Sequence, residues 1–218
     1  MQRAAPPGID SQVVAGLQPL LYFCHYLYDN FSKTAHYMAE RIQLHDLHFK
    51  PYLSEAQIQA RIRELGQKIA ADYQDKKPLF IGILNGAFMF TADLARACHF
   101  DADFAFVRLK SYEGTSSSGE VITMIGLKAP VEGRHLILVE DIIDTGRTLH
   151  TFLPQLQAQN PASVRIAALL SKPEARVQPL EADYTGFEIP NKFVVGYGLD
   201  YNELGRNLPA IYQLEDES

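Results

Sequence analysis

The sequence predicts an α/β fold in which helices flank a central, mostly parallel β-sheet. Short apolar runs, typical of strands that are buried on both faces, recur along the chain. Segments in which apolar residues have helical spacing lie between several of these runs. Polar, glycine-containing turns follow two of the runs at once, as expected where a strand passes into a helix.

The size and composition of the chain limit the classes of protein to which it can belong. It has 218 residues, of which 47% are hydrophobic and 21% are charged, as in one globular domain with appendages. The net charge of −6 argues against a nucleic-acid partner, and no apolar run reaches the roughly 18–20 residues needed to cross a membrane. Two cysteines, Cys24 and Cys98, are too few for a disulfide framework, which favours a cytoplasmic location.

Residues 1–37 are predicted to be an N-terminal extension, partly disordered or packed on the domain, and residues 38–218 to be the domain itself. The extension is rich in aromatic residues between Leu17 and Phe31 but lacks the basic start and the cleavage site of a signal peptide. Docking to a partner is an alternative role. A further hypothesis is that translation begins at Met38, just before the recognisable domain.

The first half of the domain predicts a helix, a strand and a second helix. Ser54 and Gln57 have the spacing of a capping box, and the apolar positions after them predict a helix from Glu55 to Tyr73. The apolar run Leu79–Leu84 predicts a buried strand. A turn of small residues at 85–87 then leads into a helix from Phe88 to Cys98.

The second half predicts strands, one helix and two irregular segments. The helix follows Thr148 and continues to about Gln159, although Pro154 should kink or shorten it. Residues 110–119 form a polar loop, predicted to be a binding loop or an exposed hairpin tip, and residues 177–189 are predicted to be irregular. The strands are predicted at Phe104–Leu109, Val121–Ile125, Leu136–Val139, Val164–Leu170 and Phe193–Tyr197.

The stretch from His135 to Leu149 combines a buried strand with three carboxylates and a hydroxyl-rich turn. Glu140 and Asp141 are predicted to end the strand, where the chain turns and both carboxylates can face a sugar and hold Mg²⁺. The turn from Asp144 to Thr148 opens a helix, whose first amides and dipole favour a phosphate. An ordinary helix cap by Asp144 or Thr145 is the alternative.

This stretch resembles the phosphoribosyl-pyrophosphate motif of type I phosphoribosyltransferases, and its sequence is most similar to that of the hypoxanthine-guanine branch. The resemblance covers roughly residues 41–214 and does not reach residues 1–37. It implies the type I phosphoribosyltransferase fold, with a small hood built from N- and C-terminal segments. The other stretches that carry it are Leu84–Ala87, Leu109–Tyr112, Leu170–Pro173 and Gly186–Glu203.

The resemblance implies a purine-salvage enzyme that transfers the phosphoribosyl group of 5-phosphoribosyl 1-pyrophosphate to hypoxanthine or guanine, with Mg²⁺ as cofactor. Asp144 would be the general base or acid at purine N7, and a homodimer or homotetramer is expected. The residues implied to bind phosphoribosyl pyrophosphate are Asn85, Gly86, Ser111, Tyr112, Glu140, Asp141, Asp144, Thr145, Gly146, Arg147, Thr148 and Arg206.

The purine side is implied to consist of Lys172, Phe193, Val194 and Asp200. An ammonium at Lys172 donates to the O6 atom of a 6-oxopurine, whereas the amino group of adenine is a donor and is rejected. Phe193 would stack on the base, and backbone groups of Val194 and Asp200 would face its edge. Glu140, Asp141 and Asp200 are the implied Mg²⁺ ligands.

Two features depart from the family pattern, and alternatives remain for both the function and the substrate. Asn85 stands where the family often has Lys or Arg in a turn that often contains a non-proline cis peptide, and Pro154 interrupts the usual helix. A nucleotide-binding regulator with the same fold is a rival, which the acidic composition disfavours. Lys172 and the stretch from Phe193 to Asp200 disfavour adenine and pyrimidines, whereas xanthine remains open as a substrate.

Overall fold

The structure is a computed structural model that describes residues 41–111, 121–123, 127 and 130–215. Tyr112, most of the predicted 110–119 loop, and the N-terminal extension with its boundary at residue 38 lie outside the described residues. No helix within the described part of the chain is both long enough and apolar enough to cross a bilayer. In chain order, the elements are β1 (Ile42–Leu44), β2 (Leu47–Leu53), α1 (Glu55–Tyr73), β3 (Leu79–Leu84), α2 (Phe88–Ala97), β4 (Asp103–Ser111), β5 (Val121–Thr123), β6 (His135–Ile143), α3 (Arg147–Gln157), β7 (Ser163–Ser171), β8 (Tyr184–Glu188), β9 (Val194–Val195) and β10 (Ile211–Leu214).

The central sheet has the strand order β5-β4-β3-β6-β7-β8. Strands β4, β3, β6, β7 and β8 are parallel, and β5 pairs antiparallel with β4 at one edge. The predicted mostly parallel sheet is therefore confirmed. Because β3, β6 and β7 are parallel neighbours, the turns that follow them emerge at one edge of the sheet.

Helices cover both faces of this sheet, because successive side chains of a buried strand point to opposite faces. On β6, Ile137 and Val139 belong to the apolar cluster that contains α1 and α2. Leu136 and Leu138 belong to the cluster that contains the buried side chains of α3.

A second sheet forms the hood. It is antiparallel with the order β1-β2-β10-β9, so it joins segments that precede and follow the central domain in sequence. This arrangement confirms the predicted hood. Val194, Tyr197 and Leu199 from its C-terminal part belong to the same apolar cluster as α1 and α2, which holds the hood against the central domain.

The predicted helices are confirmed with small changes at their ends. The helix α1 spans Glu55–Tyr73, and its capping box is complete: Gln57 N donates to Ser54 Oγ at 3.1 Å, and Ser54 N donates to Gln57 Oε1 at 2.9 Å. The helix α2 ends at Ala97, one residue early, and α3 ends at Gln157, two residues early. Pro154 lies inside α3 and lacks an amide proton, so it donates no hydrogen bond to the preceding turn.

The prediction that residues 177–189 are irregular was wrong over Tyr184–Glu188, which is strand β8. The segment is only five residues long, and Gly186 interrupts its strand-forming residues Tyr184, Thr185 and Phe187. Its pairing with β7, from Tyr184 opposite Ala167 to Glu188 opposite Ser171, supplies the hydrogen bonds that make it a strand. The hood strands β1, β2 and β10 also went unpredicted.

Candidate active site

The candidate active site lies at the edge of the sheet where the parallel strands β3, β6 and β7 end. Asn85 and Gly86 follow β3, Asp144 and Thr145 follow β6, and Lys172 follows β7. In such sheets, ligands bind beyond the carboxyl ends of the strands. The predicted site residues of the central domain are therefore brought to one edge.

The prediction that Glu140 and Asp141 end their strand was wrong. The strand β6 continues to Ile143, and pairing with β7 extends from Glu140 opposite Ala168 to Ile143 opposite Ser171. The Glu140 side chain lines the turn between β6 and α3, whereas the Asp141 side chain approaches Gly86 in the turn after β3. The two carboxylates are therefore directed to two different turns.

Glu140 faces the turn between β6 and α3. It lines a cavity of about 90 Å³ with this turn. Its Oε2 atom is buried and has no hydrogen-bond partner among the described residues. Burial raises the pKa of Glu140 well above its usual value, and the neighbouring Asp141 carboxylate raises it further. An unpartnered buried carboxylate is ready to accept hydrogen bonds from sugar hydroxyls.

The turn itself has the geometry of an anion site. Gly146 is the N-cap of α3, with a left-handed backbone at φ 79°, and has no side chain to cap the helix amides. Thr145 Oγ1 accepts a long hydrogen bond of 3.4 Å from Arg147 N. The first turn of α3 thus lies beside the cavity without a conventional side-chain cap, and its positive dipole end suits a phosphate.

Asp141 is directed toward the turn after β3. A Cβ atom added to Gly86 would lie 1.6 Å from Asp141 Oδ2, so the close approach requires glycine. Burial raises the pKa of Asp141 to about 6, and the nearby Asp200 carboxylate adds to this increase. Backbone hydrogen bonds and the Arg206 guanidinium lower the pKa of Asp141 but do not offset the effect of burial. The peptide bond between Leu84 and Asn85 is cis, as the family pattern predicted.

Asp200 and Arg206 come from the segment that precedes β10 and lie near Asp141. Arg206 Nη2 lies 2.7 Å from Asp200 Oδ1, and Arg206 Nη1 donates to the Gly198 carbonyl at 2.9 Å. Arg206 Nη2 also lies 3.6 Å from Glu203 Oε2, a contact that sequence reasoning missed. Gly198, also missed, approaches Gly86 so closely that a Cβ atom on it would lie 2.0 Å from the Gly86 carbonyl oxygen. The glycines on either side of Tyr197 were the available sequence signal.

Lys172 and Asp144 form an ion pair between the turns after β7 and β6. Lys172 Nζ lies 3.0 Å from Asp144 Oδ2. The lysine side chain is only 7% exposed, whereas the aspartate side chain is 47% exposed. A buried ammonium and an accessible carboxylate therefore stand side by side, offering one hydrogen-bond donor and one acceptor.

Phe193 and Val194 belong to the hood. The Phe193 ring is partly exposed and packs edge-on against Tyr201, with ring centroids 5.9 Å apart. It also contacts Phe49 at 6.1 Å. Val194 is buried in β9. The ring contacts of Phe193 are with hood residues, and its predicted stacking on a base stays a prediction. Ser111 is the last residue of β4, and Tyr112 lies outside the described residues.

The three carboxylates predicted to bind Mg²⁺ do not form one cluster. The described residues contain no group of three or more acidic, histidine or cysteine side chains that could hold a metal ion. Glu140 lines the turn before α3, whereas Asp141 lies against Gly86, where the Asp200 carboxylate raises the pKa of Asp141. These donors fit Mg²⁺ in its usual mode, in which one or two carboxylates act together with substrate oxygens and water.

Comparisons with known proteins agree with this geometry. Residues 50–202 match the phosphoribosyl transferase domain family. A hypoxanthine-guanine phosphoribosyltransferase of Lactococcus lactis is 46% identical over 171 residues, which cover 77% of this chain and 92% of the relative. A crystal structure of a hypoxanthine phosphoribosyltransferase from Staphylococcus aureus is 41% identical, with a TM-score of 0.73 over 76% of this chain and 91% of the other.

Longer relatives contain the same domain. The bifunctional protein TilS/HprT of Listeria innocua is 46% identical over 169 residues, which cover 77% of this chain but only 26% of that relative. The chain therefore spans about a quarter of the length of this relative. The family match, the fold and the arrangement of the turns after β3, β6 and β7 together establish that this chain belongs to the phosphoribosyltransferase family.

Proposed function

We propose that this protein is a Mg²⁺-dependent purine-salvage enzyme. It transfers the phosphoribosyl group of 5-phosphoribosyl 1-pyrophosphate to hypoxanthine or guanine, giving IMP or GMP and pyrophosphate. The observation that carries the proposal is the Lys172–Asp144 pair, which stands directly beside the anion-binding turn. A base and a ribose phosphate bound there would be neighbours.

The pair matches the edge of a 6-oxopurine. Atoms N7 and O6 lie on the same edge of hypoxanthine and guanine. Lys172 donates to O6, and Asp144 accepts the proton carried by N7. Adenine presents an amino group in place of O6, so two donors would face each other and the buried ammonium would lose its partner. Xanthine shares this edge and is distinguished only at its other side.

The phosphoribosyl group occupies the α3 face of β6. Its 5′-phosphate binds the turn from Asp144 to Thr148, where the helix amides and the Thr145 and Thr148 hydroxyls donate hydrogen bonds. Glu140 accepts hydrogen bonds from the ribose hydroxyls. Its buried Oε2 atom lacks a partner among the described residues, and a ribose hydroxyl supplies one.

Pyrophosphate occupies the opposite side, beside Gly86, Asp141 and Arg206. Gly86 lets the backbone approach the ligand, and Arg206 supplies a cation. Asn85 is exposed and uncharged, so it contributes no cation at this position, where the family pattern often has Lys or Arg. Pyrophosphate binding therefore depends strongly on Arg206 and on the metal.

When bound, Mg²⁺ would supply positive charge beside the leaving pyrophosphate. Asp141 and Asp200 are the residues that would hold it on the pyrophosphate side, and Glu140 is the carboxylate available on the ribose side. In the transfer, a purine nitrogen forms a bond to C1 of the ribose as the bond to pyrophosphate breaks. Asp144 takes the purine proton, and Lys172 stabilises negative charge that develops on O6.

We further propose that the protein acts as a homodimer in the cytoplasm. Phe88, Phe104 and Phe106 are exposed, and Phe104 stacks on Phe80 with ring centroids 5.0 Å apart. Parallel sheets are normally covered on both faces, so a second copy packed against these rings would complete the core. Phe104→Ser should shift the mass measured by light scattering from that of a dimer to that of a monomer; an unchanged mass contradicts this interface.

The buried, unpaired thiol of Cys98 supports a reducing compartment.

A spectrophotometric assay tests the proposed reaction. Purified protein is mixed with phosphoribosyl pyrophosphate, Mg²⁺ and each of hypoxanthine, guanine, xanthine and adenine. Turnover is expected with hypoxanthine or guanine and not with adenine. Absence of turnover with every purine, in protein that binds IMP, refutes the proposed activity. Removal of Mg²⁺ with a chelator should abolish turnover, and its return should restore it.

A further inference from the structure

A short turn from Gly196 to Leu199 connects the hood to the pyrophosphate side of the site. Three consecutive residues in it have a left-handed backbone: Gly196 at φ 100°, Tyr197 at φ 51° and Gly198 at φ 100°. Glycine adopts this conformation freely, but tyrosine rarely does. A bulky residue in such a conformation persists only where its surroundings hold it in place.

One side of this turn is built into the candidate pyrophosphate site. Gly198 packs against the Gly86 carbonyl, and its own carbonyl accepts a hydrogen bond from Arg206. Gly198 N donates in turn to the Arg206 carbonyl at 2.9 Å. Asp200, which follows the turn, pairs with Arg206 at 2.7 Å. Any movement of the turn therefore moves these groups together.

The other side of the turn is anchored by Tyr197. Its side chain is almost fully buried, and its hydroxyl donates to the Asp93 carboxylate on α2. Asp93 also accepts a hydrogen bond of 2.5 Å from Gln59 Nε2 on α1 and pairs with Arg96. Burial alone would raise the pKa of Asp93, but hydrogen bonds from Tyr197, Arg96 and Gln59 outweigh it and hold the pKa below its usual value. The carboxylate is thus charged and fixed between two helices.

We propose that Asp93 is a positioning residue for the transferase reaction. By accepting the hydrogen bond from Tyr197, it fixes the Gly196–Leu199 turn, and with it Arg206 and Asp200, in the arrangement that binds pyrophosphate. Asp93 itself lies behind the turn and acts through Tyr197. The proposal rests on the proposed function, in particular on pyrophosphate binding beside Gly86 and Arg206.

Loss of the hydrogen bond between Tyr197 and Asp93 should weaken the binding of pyrophosphate more than the binding of ligands that contact only the phosphate turn. A hydrogen bond to a charged group contributes enough that its removal weakens a dependent interaction by roughly tenfold or more. We therefore expect Tyr197→Phe to weaken binding of pyrophosphate with Mg²⁺ by about tenfold and to raise KM for phosphoribosyl pyrophosphate to a similar extent. Ribose 5-phosphate, which is proposed to contact the phosphate turn and Glu140 and carries neither pyrophosphate nor a base, should bind with an affinity within about threefold of that of the unaltered protein.

Tyr184→Phe is the matched control. Tyr184 is also buried, and its hydroxyl donates to the carboxylate of Asp72 on α1 at 2.6 Å. It lies at the first position of β8, at the opposite end of the strand from the site edge. Both variants lose one partly buried hydrogen bond from a tyrosine hydroxyl to a carboxylate, so similar losses of thermal stability are expected. Only Tyr197→Phe should change pyrophosphate binding in calorimetry. Equal weakening by both variants would overturn the proposal, because a general loss of stability would then explain it.

A double-mutant cycle tests whether Tyr197 acts through Asp93. Asp93→Asn should weaken pyrophosphate binding by about as much as Tyr197→Phe, and the double variant should be no weaker than either single variant. Fully additive losses would refute the link, as would unchanged binding in Tyr197→Phe.

Arg206→Gln separates this proposal from the proposed function. If Arg206→Gln leaves pyrophosphate binding unchanged, the placement of pyrophosphate is wrong and the positioning role fails with it. If Arg206→Gln weakens binding but Tyr197→Phe does not, the placement stands and only the positioning role is refuted.

Discussion

Substitution of Lys172 by methionine tests the part of the site that selects the base. The Lys172 side chain is only 7% exposed, and its ammonium lies 3.0 Å from the Asp144 carboxylate. Methionine keeps much of the apolar stem that packs in the interior and removes the charge, whereas alanine would also leave a cavity. The change therefore isolates the hydrogen bond that Lys172 is proposed to donate to O6.

The structure sets the expected size of the effect. A hydrogen bond from a charged donor contributes about 1.5–3 kcal/mol, which corresponds to a fall of roughly 10- to 150-fold in kcat/KM for hypoxanthine. Stability should change little, because Asp144 is about half exposed and water can replace the lost ammonium at its carboxylate. Removal of a buried charge also offsets the loss of the ion pair.

The assay compares kcat/KM for hypoxanthine, guanine and adenine at saturating phosphoribosyl pyrophosphate. The fall should be confined to the two 6-oxopurines, so the preference over adenine should shrink by the same factor. Lys68→Met serves as the control because Lys68 is exposed on α1, and it should leave all three values unchanged. An unchanged preference in Lys172→Met, with the fold intact by circular dichroism, would refute the contact with O6.

Three further substitutions test the carboxylates and the close-packed turn. Asp144→Asn should lower kcat by about 10²- to 10⁴-fold while phosphoribosyl pyrophosphate binds within a few-fold of normal, and equal losses in both would contradict proton transfer by Asp144. Asp141→Asn should abolish most activity yet stabilise the metal-free fold. Folding raises the Asp141 pKa from 3.8 to about 6, so the folded state favours the protonated carboxyl group. The unaltered protein therefore loses stability as pH rises from about 4 to about 6, whereas the asparagine variant does not. The stabilisation should approach about 3 kcal/mol above pH 6 and vanish below about pH 4 in chemical denaturation with chelator present, and a gain that grows toward low pH would refute it. Gly86→Ala should reduce pyrophosphate binding by more than tenfold, because the added methyl group overlaps Asp141 Oδ2; normal binding in calorimetry would contradict the close approach.

Much of the central domain was predictable because its signals are local. The capping box of α1, the apolar runs of β3 and β7, and the turn from Asp144 to Thr148 each lie within a few consecutive residues. Strand β8 was missed because it is short and contains a glycine, and its pairing with β7 stabilises it as a strand. Strands β2 and β10 of the hood were missed because they pair with each other across more than half of the chain.

The site shows the same division. The residue types of the site could be predicted from the sequence alone, because the contiguous motif around Glu140 and the stretch around Asp200 resemble one family closely. The division of these residues within the site depends on how the elements pack: Glu140 lines the turn between β6 and α3, whereas Asp141 approaches Gly86 after β3. The tertiary structure also brought Lys172 to Asp144 and Tyr197 to Asp93, which are 28 and 104 positions apart in the chain. Such contacts depend on where whole strands and helices pack, and no local pattern of residues encodes that distance.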